Sequence, residues 1–250
     1  MDKNIFLEIE YDGTNYFGFQ IQNKKQKKEE TIQGALEKTL EKLFNEKIRV
    51  VYTGRTDRGV HAYAQGVNFK VDTCVPLKTI QKVLNDFLPT DIQIKKVKNV
   101  SADFHSRFSA ISKTYRYIIS SKKELPVFNR NFCWHIAEPL DLDKMKTVSK
   151  KLGGNNDFSI FATEVKRYKT CVRQVKGIII RKTAGNIYID IEADGFLRSM
   201  VRNIVLFLVQ IGLQKISLKQ ANDILERKIP YSKKPAPAAG LYLLKVNYRW

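Results

Sequence analysis

Residues 54–61, GRTDRGVH, set one carboxylate, Asp57, beside two arginines, Arg55 and Arg58, and a histidine, His61, in a glycine-framed turn. The flanking runs IRVVYT and AYAQGVNFKV are apolar and strand-like, so the turn presents Asp57 at the mouth of a sheet. Flanking positive charge favours the ionised carboxylate. An ionised Asp can act as a nucleophile or a general base. Taken alone, the loop admits two readings: an Asp that caps its own turn, or a catalytic acid aimed at a nucleic acid. The other local acid, Asp72, stands at the end of the next strand, so a two-carboxylate glycosidase scheme lacks support.

Three other stretches carry chemistry-bearing residues. FHSRFSAISKTYRYII, residues 104–119, interleaves Arg107, Lys113 and Arg116 with Phe104, Phe108, Tyr115 and Tyr117. Rings stack on bases and cations meet phosphates, so this mixture suits nucleic acid. Strand alternation puts Tyr115 and Tyr117 on one face, with Thr114 and Arg116 on the other. Core packing is the competing use for those tyrosines. GFLRSMVRNIV, residues 195–205, spaces Arg198 and Arg202 four apart, on one face of the first turns of an apolar helix. That arrangement fits two snorkelling arginines or a rigid grip on a carboxylate. KKPAPAAGLYLLKV, residues 233–246, reads as a connector stiffened by Pro235 and Pro237, with Gly240 and Leu241 at the start of a last strand.

A chain of 250 residues has ample length to bury a core, and its net charge of +19 attracts polyanions. His61, His105 and His135 show no metal-ligand spacing, and packing or hydrogen-bonding roles are expected for all three. Cys74, Cys133 and Cys171 lie far apart and are expected to be reduced thiols in a cytosolic protein. No signal-peptide apolar region leads the chain, and the longest apolar run, about 204–213, is too short to span a bilayer. The expectation is a cytoplasmic protein with no membrane segment and no metal site.

The elements that must position these residues follow from periodicity. Strand 4–11, helix 31–45, strands 48–53 and 63–71, helix 77–87 and strand 92–97 give the order β-α-β-β-α-β. A charged run at 24–30 is expected to be a solvated loop. The second half repeats the order. It has a strand at 113–120, a helix from 142 capped by Asp141, and a hairpin of 171–182 and 186–193 turning at Ala184-Gly185. A core helix at 196–213, an added helix at 217–227 capped by Ser217, and a strand at 241–248 complete it. The expected fold class is α+β. It consists of two pseudo-symmetric βαββαβ (ferredoxin-like) halves, 1–105 and 106–250, sharing a mostly antiparallel sheet, with helices on one side and a basic cleft between the halves.

GRTDRGVHA, FHSRFSAISKTYRY, FLRSMVRNIV and APAAGLYL occur in an order that, together with the N-terminal EYDGTNYFGFQ, resembles the tRNA pseudouridine synthase A (TruA) family over essentially the whole chain. The resemblance implies isomerisation of uridine to pseudouridine at nucleotides 38, 39 and 40 of the tRNA anticodon stem-loop, by a homodimer without cofactor or metal. It assigns Asp57 as the catalytic acid, Arg202 as its arginine partner and Tyr115 as the residue stacking on the uracil. Arg55 becomes a basic residue that helps displace the target base, and Leu241 a hydrophobic wall beside it. Arg58, Arg107, Lys113, Arg116 and Arg198 become RNA contacts. Arg58 is a departure, standing where the family usually has a small residue such as alanine. Two other classes compete: a non-catalytic RNA-binding protein on the same scaffold, and a metal-dependent nuclease using Asp57, His61 and His105.

Overall fold

Ile5, Leu7 and Ile9 alternate along β1 (Asp2–Tyr11) and are fully buried in the computed structural model, which describes residues 2–22, 30–124, 127–231 and 234–250. The lysine-rich run at 24–28 lies outside the described residues. Helix α1 (Ile32–Phe44) starts where the Thr31 hydroxyl accepts the Gly34 N–H, and ends at Asn45 in the left-handed region. Only two residues of the expected strand 48–53 pair, forming β2 (Val51–Tyr52). The chain continues through β3 (His61–Asp72), α2 (Leu77–Phe87), β4 (Ile92–Val100), β5 (Ala110–Ser120) and the short β6 (Trp134–His135). Asp141 caps α3 (Leu142–Lys151), which leads to the short β7 (Gly154–Asp157). The expected hairpin is β8 (Val172–Thr183) and β9 (Asn186–Ala193). Helix α4 (Met200–Gly212) precedes α5 (Leu218–Leu225), whose Ser217 and Gln220 form a capping box, and β10 (Leu241–Tyr248) closes the order.

The fold is mixed α/β with mostly antiparallel strand pairing and, among the described residues, five α-helices. Its contacts divide the chain into one unit of Met1–Ile111 with Tyr242–Trp250, and a second of Ser112–Leu241. Motif order alone divides the chain at 105; the contacts divide it at 111 and return nearly all of β10 to the first unit.

In the first unit the strand order is β4-β1-β3-β10, with β2 on β3. β1 runs antiparallel to β3 and β4, and β10 joins β3 in parallel, with Tyr242 opposite His61. Ile5, Leu7, Val67 and Phe69 share one face, and Phe44 of α1 meets Phe69 there at 6.0 Å between ring centres. The opposite face carries Phe6, which meets Phe104, Tyr248 and Trp250 edge-on. It also carries a buried Asn4–Asn68 pair.

In the second unit the order is β5-β9-β8-β7, antiparallel throughout, with β6 alongside the end of β5. Tyr115, Tyr117 and Ile119 face Ile191, Ile189 and Ile187 across the β5–β9 pair, and all six are buried. Helix α4 buries residues on almost every side, as an apolar run requires. Each fully buried Leu, Ile, Val or Phe there contributes roughly 1.5–3 kcal/mol.

Candidate functional site

The acid loop lies between β2 and β3 and is fixed at several points. The Thr53 N–H and hydroxyl both donate to Gly66 O, and Gln65 donates from Nε2 to Gly54 O at 2.8 Å. Thr56 is buried, with its hydroxyl 2.8 Å from the Tyr11 phenol. Burial raises the pKa of that phenol above its ordinary value, so it stays a neutral hydrogen-bonding group. Val60 N–H donates to Asp57 O, closing a turn in which Gly59 takes φ 75°.

Residues 11–19 wrap this loop. Phe19 N–H donates to Thr56 O at 3.1 Å. Gly18 takes φ 87°, and a Cβ there would stand 2.5 Å from Thr56 O and 3.2 Å from the Asp57 carbonyl carbon. A Cβ on Gly13 would stand 2.0 Å from Val60 O. Gly13 N–H donates to His61 Nδ1 at 3.1 Å. Asp12 Oδ1 stands 3.1 Å from the same nitrogen. Asp57 itself is half-buried, while Arg55 and Arg58 are exposed. The Arg58 guanidinium lies 4.2 Å over the Phe17 ring, so Phe17 gives it a defined seat.

Phe17, Gly13, Gly18, Tyr11 and Gln65 were not singled out from the sequence, although the first four lie within the quoted EYDGTNYFGFQ. Their signal was present there, in two glycines and four aromatics within a short stretch.

The second unit holds Tyr115, Arg202 and Leu241. Tyr115 is 8% exposed on β5, with Phe196 edge-on at 5.0 Å. Arg202 lies in the first turn of α4, donates from Nε to Ala236 O at 2.6 Å, and accepts Ala236 N–H at its own carbonyl. Tyr117 donates its hydroxyl to Pro237 O at 2.7 Å, and burial raises its pKa. These ties fix the loop that delivers the buried Leu241 to β10.

The five RNA-contact candidates fall into different settings. Arg58 and Arg107 are exposed in the first unit. Lys113 is half-buried on β5, opposite Ala193. Arg116 grips Asp190 with two parallel bonds of 2.8 Å across the β5–β9 pair, and Arg181 approaches the same carboxylate at 3.3 Å. Arg198 is a correction. It was expected on one face of a helix with Arg202, but α4 begins only at Met200, and Ser199 takes φ 60°. Arg198 therefore stands outside the helix, exposed, and pairs with Glu164.

His105 Nδ1 faces the Arg107 and Phe108 N–H groups, and His135 Nε2 lies 2.9 Å from Lys122 O. Among the described residues no group of three or more His, Cys, Asp or Glu could hold a metal ion. No helix among them is long and apolar enough to cross a membrane.

A mixed α/β chain with a glycine-cradled acid loop fits comparison with known sequences. The family model for tRNA pseudouridine synthase matches residues 8–109 and 148–249. The chain belongs to that family. It is 41% identical over 248 residues to the tRNA pseudouridine synthase A of Thermoanaerobacter sp. (strain X514), covering 98% of this chain and 100% of the relative. Its identity to the tRNA pseudouridine synthase A 2 of Clostridium tetani is 39% over 249 residues, covering 99% and 100% of the two chains.

Proposed function

We propose that the tRNA uridine isomerisation carried out by this chain is directed at nucleotides 38, 39 and 40 of the anticodon stem-loop and depends on Asp57. The supporting observation is the acid loop. It places one half-exposed carboxylate on a turn so closely packed that two neighbouring positions admit only glycine. Preorganisation of this kind is what a group needs to meet a reacting atom in fixed geometry.

In the reaction the uracil leaves C1′, rotates, and rejoins through C5. Reaching it inside a stem requires flipping the nucleotide out, at a cost of a few kcal/mol. Phosphate contacts from the basic surface offset that cost. Asp57 attacks C1′ or C6, or removes a ribose proton. Tyr115 stacks on the uracil and retains it while it is detached, with Leu241 as the wall beside it. Arg202 pairs with the Asp57 carboxylate, and Arg55 helps displace the base. The functional halves are 1–105, carrying the acid, and 106–250, carrying Tyr115 and Arg202. The enzyme acts as a cytoplasmic homodimer.

The test is release of the C5 proton from labelled uridine in a tRNA transcript. Asp57→Asn is expected to abolish release while retaining most tRNA binding. Normal product formation by that variant would remove Asp57 from the chemistry.

A further inference from the structure

Phe104 and Phe108 are four residues apart in one basic, aromatic stretch, and the fold treats them oppositely. Phe104 is 8% exposed, stacked on Trp250 and packed against Phe6 and Tyr248. Phe108 is 74% exposed. Exposure of one large ring is ordinary on a mobile loop, but this loop is anchored throughout. Asn4 Nδ2 donates to Ser101 O and Phe104 O, and Asn68 accepts the Ser106 N–H at 2.8 Å. Ser109 N–H donates to His105 O, His105 N–H donates to the Ser109 hydroxyl, and Arg249 N–H donates to Ser109 O. The His105 imidazole accepts the Arg107 N–H at 3.2 Å, and its ring supports Phe108 at 4.4 Å. Two buried asparagines, a histidine and a serine thus hold an aromatic ring in solvent, with the exposed Arg107 guanidinium 5.4 Å from its centre.

The position of this loop follows from two strands that start together. His61 on β3 and Tyr242 on β10 are paired beside the acid loop. Asn68, which anchors Ser106, is seven residues along β3 from His61, a run of about 23 Å. Arg249, which anchors Ser109, is seven residues along from Tyr242, a run of about the same length. Asp57, whose carbonyl accepts the Val60 N–H beside His61, therefore lies roughly 20 Å from these anchors of the Phe108 loop, too far for Phe108 to touch the nucleotide on which Asp57 acts.

We propose that Phe108 is a stacking platform for an unpaired base of the tRNA, distant from the reacting uridine, and that Arg107 meets the phosphate beside that base. Every base offers a flat face to an aromatic ring, so the contact tolerates sequence differences among tRNAs. A ring held rigid in advance loses little freedom when the base arrives. The polyanionic partner matches a chain of net charge +19. The proposal rests on the reading that this chain acts on tRNA.

The experiment measures binding of a fluorescent tRNA transcript to the full chain across a range of salt concentrations, together with kcat and KM for C5 proton release. Phe108→Ala is expected to weaken binding about ten- to hundred-fold and raise KM with kcat unchanged. Phe108→Trp is expected to restore both, and Arg107→Ala to lower the salt slope by about one. Unchanged binding and KM in Phe108→Ala, or equal losses in the Ala and Trp variants, would overturn the proposal. So would loss of self-association in sedimentation with tRNA affinity intact, since Phe108 would then face a protein. If wild-type chain binds tRNA through Phe108 but releases no C5 proton, the catalytic reading fails and the platform stands.

Discussion

Around Asp57 the groups that fix the loop are backbone atoms. Thr56 O, the Asp57 carbonyl carbon and Val60 O lie against Gly18 and Gly13, where a methyl group would not fit. Around Tyr115 the groups are side chains and sheet register, with Phe196 at the ring edge, Ile191 across the strand pair, and the Tyr117 hydroxyl tied to Pro237 two residues further on. Backbone packed on backbone has no rotamer to change, whereas side chains relax by small shifts that each cost part of a contact. The first region should therefore fail abruptly on substitution and the second by degrees.

Gly18→Ala should produce the largest effect. The added Cβ meets Thr56 O at 2.5 Å, and φ 87° is strained for any L side chain. The strain costs about 1–3 kcal/mol. A displacement of the acid loop by about 1 Å lowers turnover of a tRNA transcript about 100-fold. Urea unfolding and C5 proton release measure the two effects separately. A Gly18→Ala enzyme with near wild-type turnover would mean that the loop relaxes freely, and the contrast between the regions would collapse.

Asp190→Ala tests a polar tie in the second unit and should have an intermediate effect. The carboxylate is 11% exposed and is held by Arg116, itself 21% exposed, with Arg181 adjacent. Its removal is expected to cost about 2 kcal/mol, between the value of an exposed pair and that of a fully buried one. It also removes the ion pair that Arg116 makes with Asp190. If that arginine is an RNA contact, tRNA binding becomes steeper in salt by about one unit of slope. A lower stability with an unchanged slope would make Arg116 a structural residue alone.

The two regions also differed in how far they could be read from sequence. Helix ends were legible wherever a local side chain sets them, as Thr31, Asp141 and Ser217 do. The start of α4 was not. Leu197 and Met200 continue the apolar spacing, yet the backbone turns out of the helix at Ser199. The cause is remote in sequence: Thr163 N–H donates to Arg198 O, and Arg198 N–H donates to the Tyr168 hydroxyl. Local periodicity carries no trace of those partners. The acid loop shows the same limit. Asp57 was visible as a lone carboxylate among bases, but its cradle comes from residues 11–19, through approaches that depend on the absence of a side chain. Arg58 has a local account only in three dimensions, because its seat is the Phe17 ring.

Tyr117→Phe should produce the smallest effect and marks the graded end of the comparison. The substitution leaves the ring, buried at 0% exposure, and its contacts with Gly240 in place, and removes only the hydroxyl that donates to Pro237 O. One such bond contributes about 1 kcal/mol net. The loop it holds keeps a second attachment, because Arg202 donates to Ala236 O and accepts Ala236 N–H in return. With Ala236 still fixed to α4, the Leu241 strand start keeps its place, so urea unfolding should shift by about 1 kcal/mol while kcat stays near the wild-type value. A loss of turnover as large as that of Gly18→Ala would show that the second unit is as unforgiving as the first. The Pro237 tie, and not ring packing alone, would then be what sets Tyr115 and Leu241 in place.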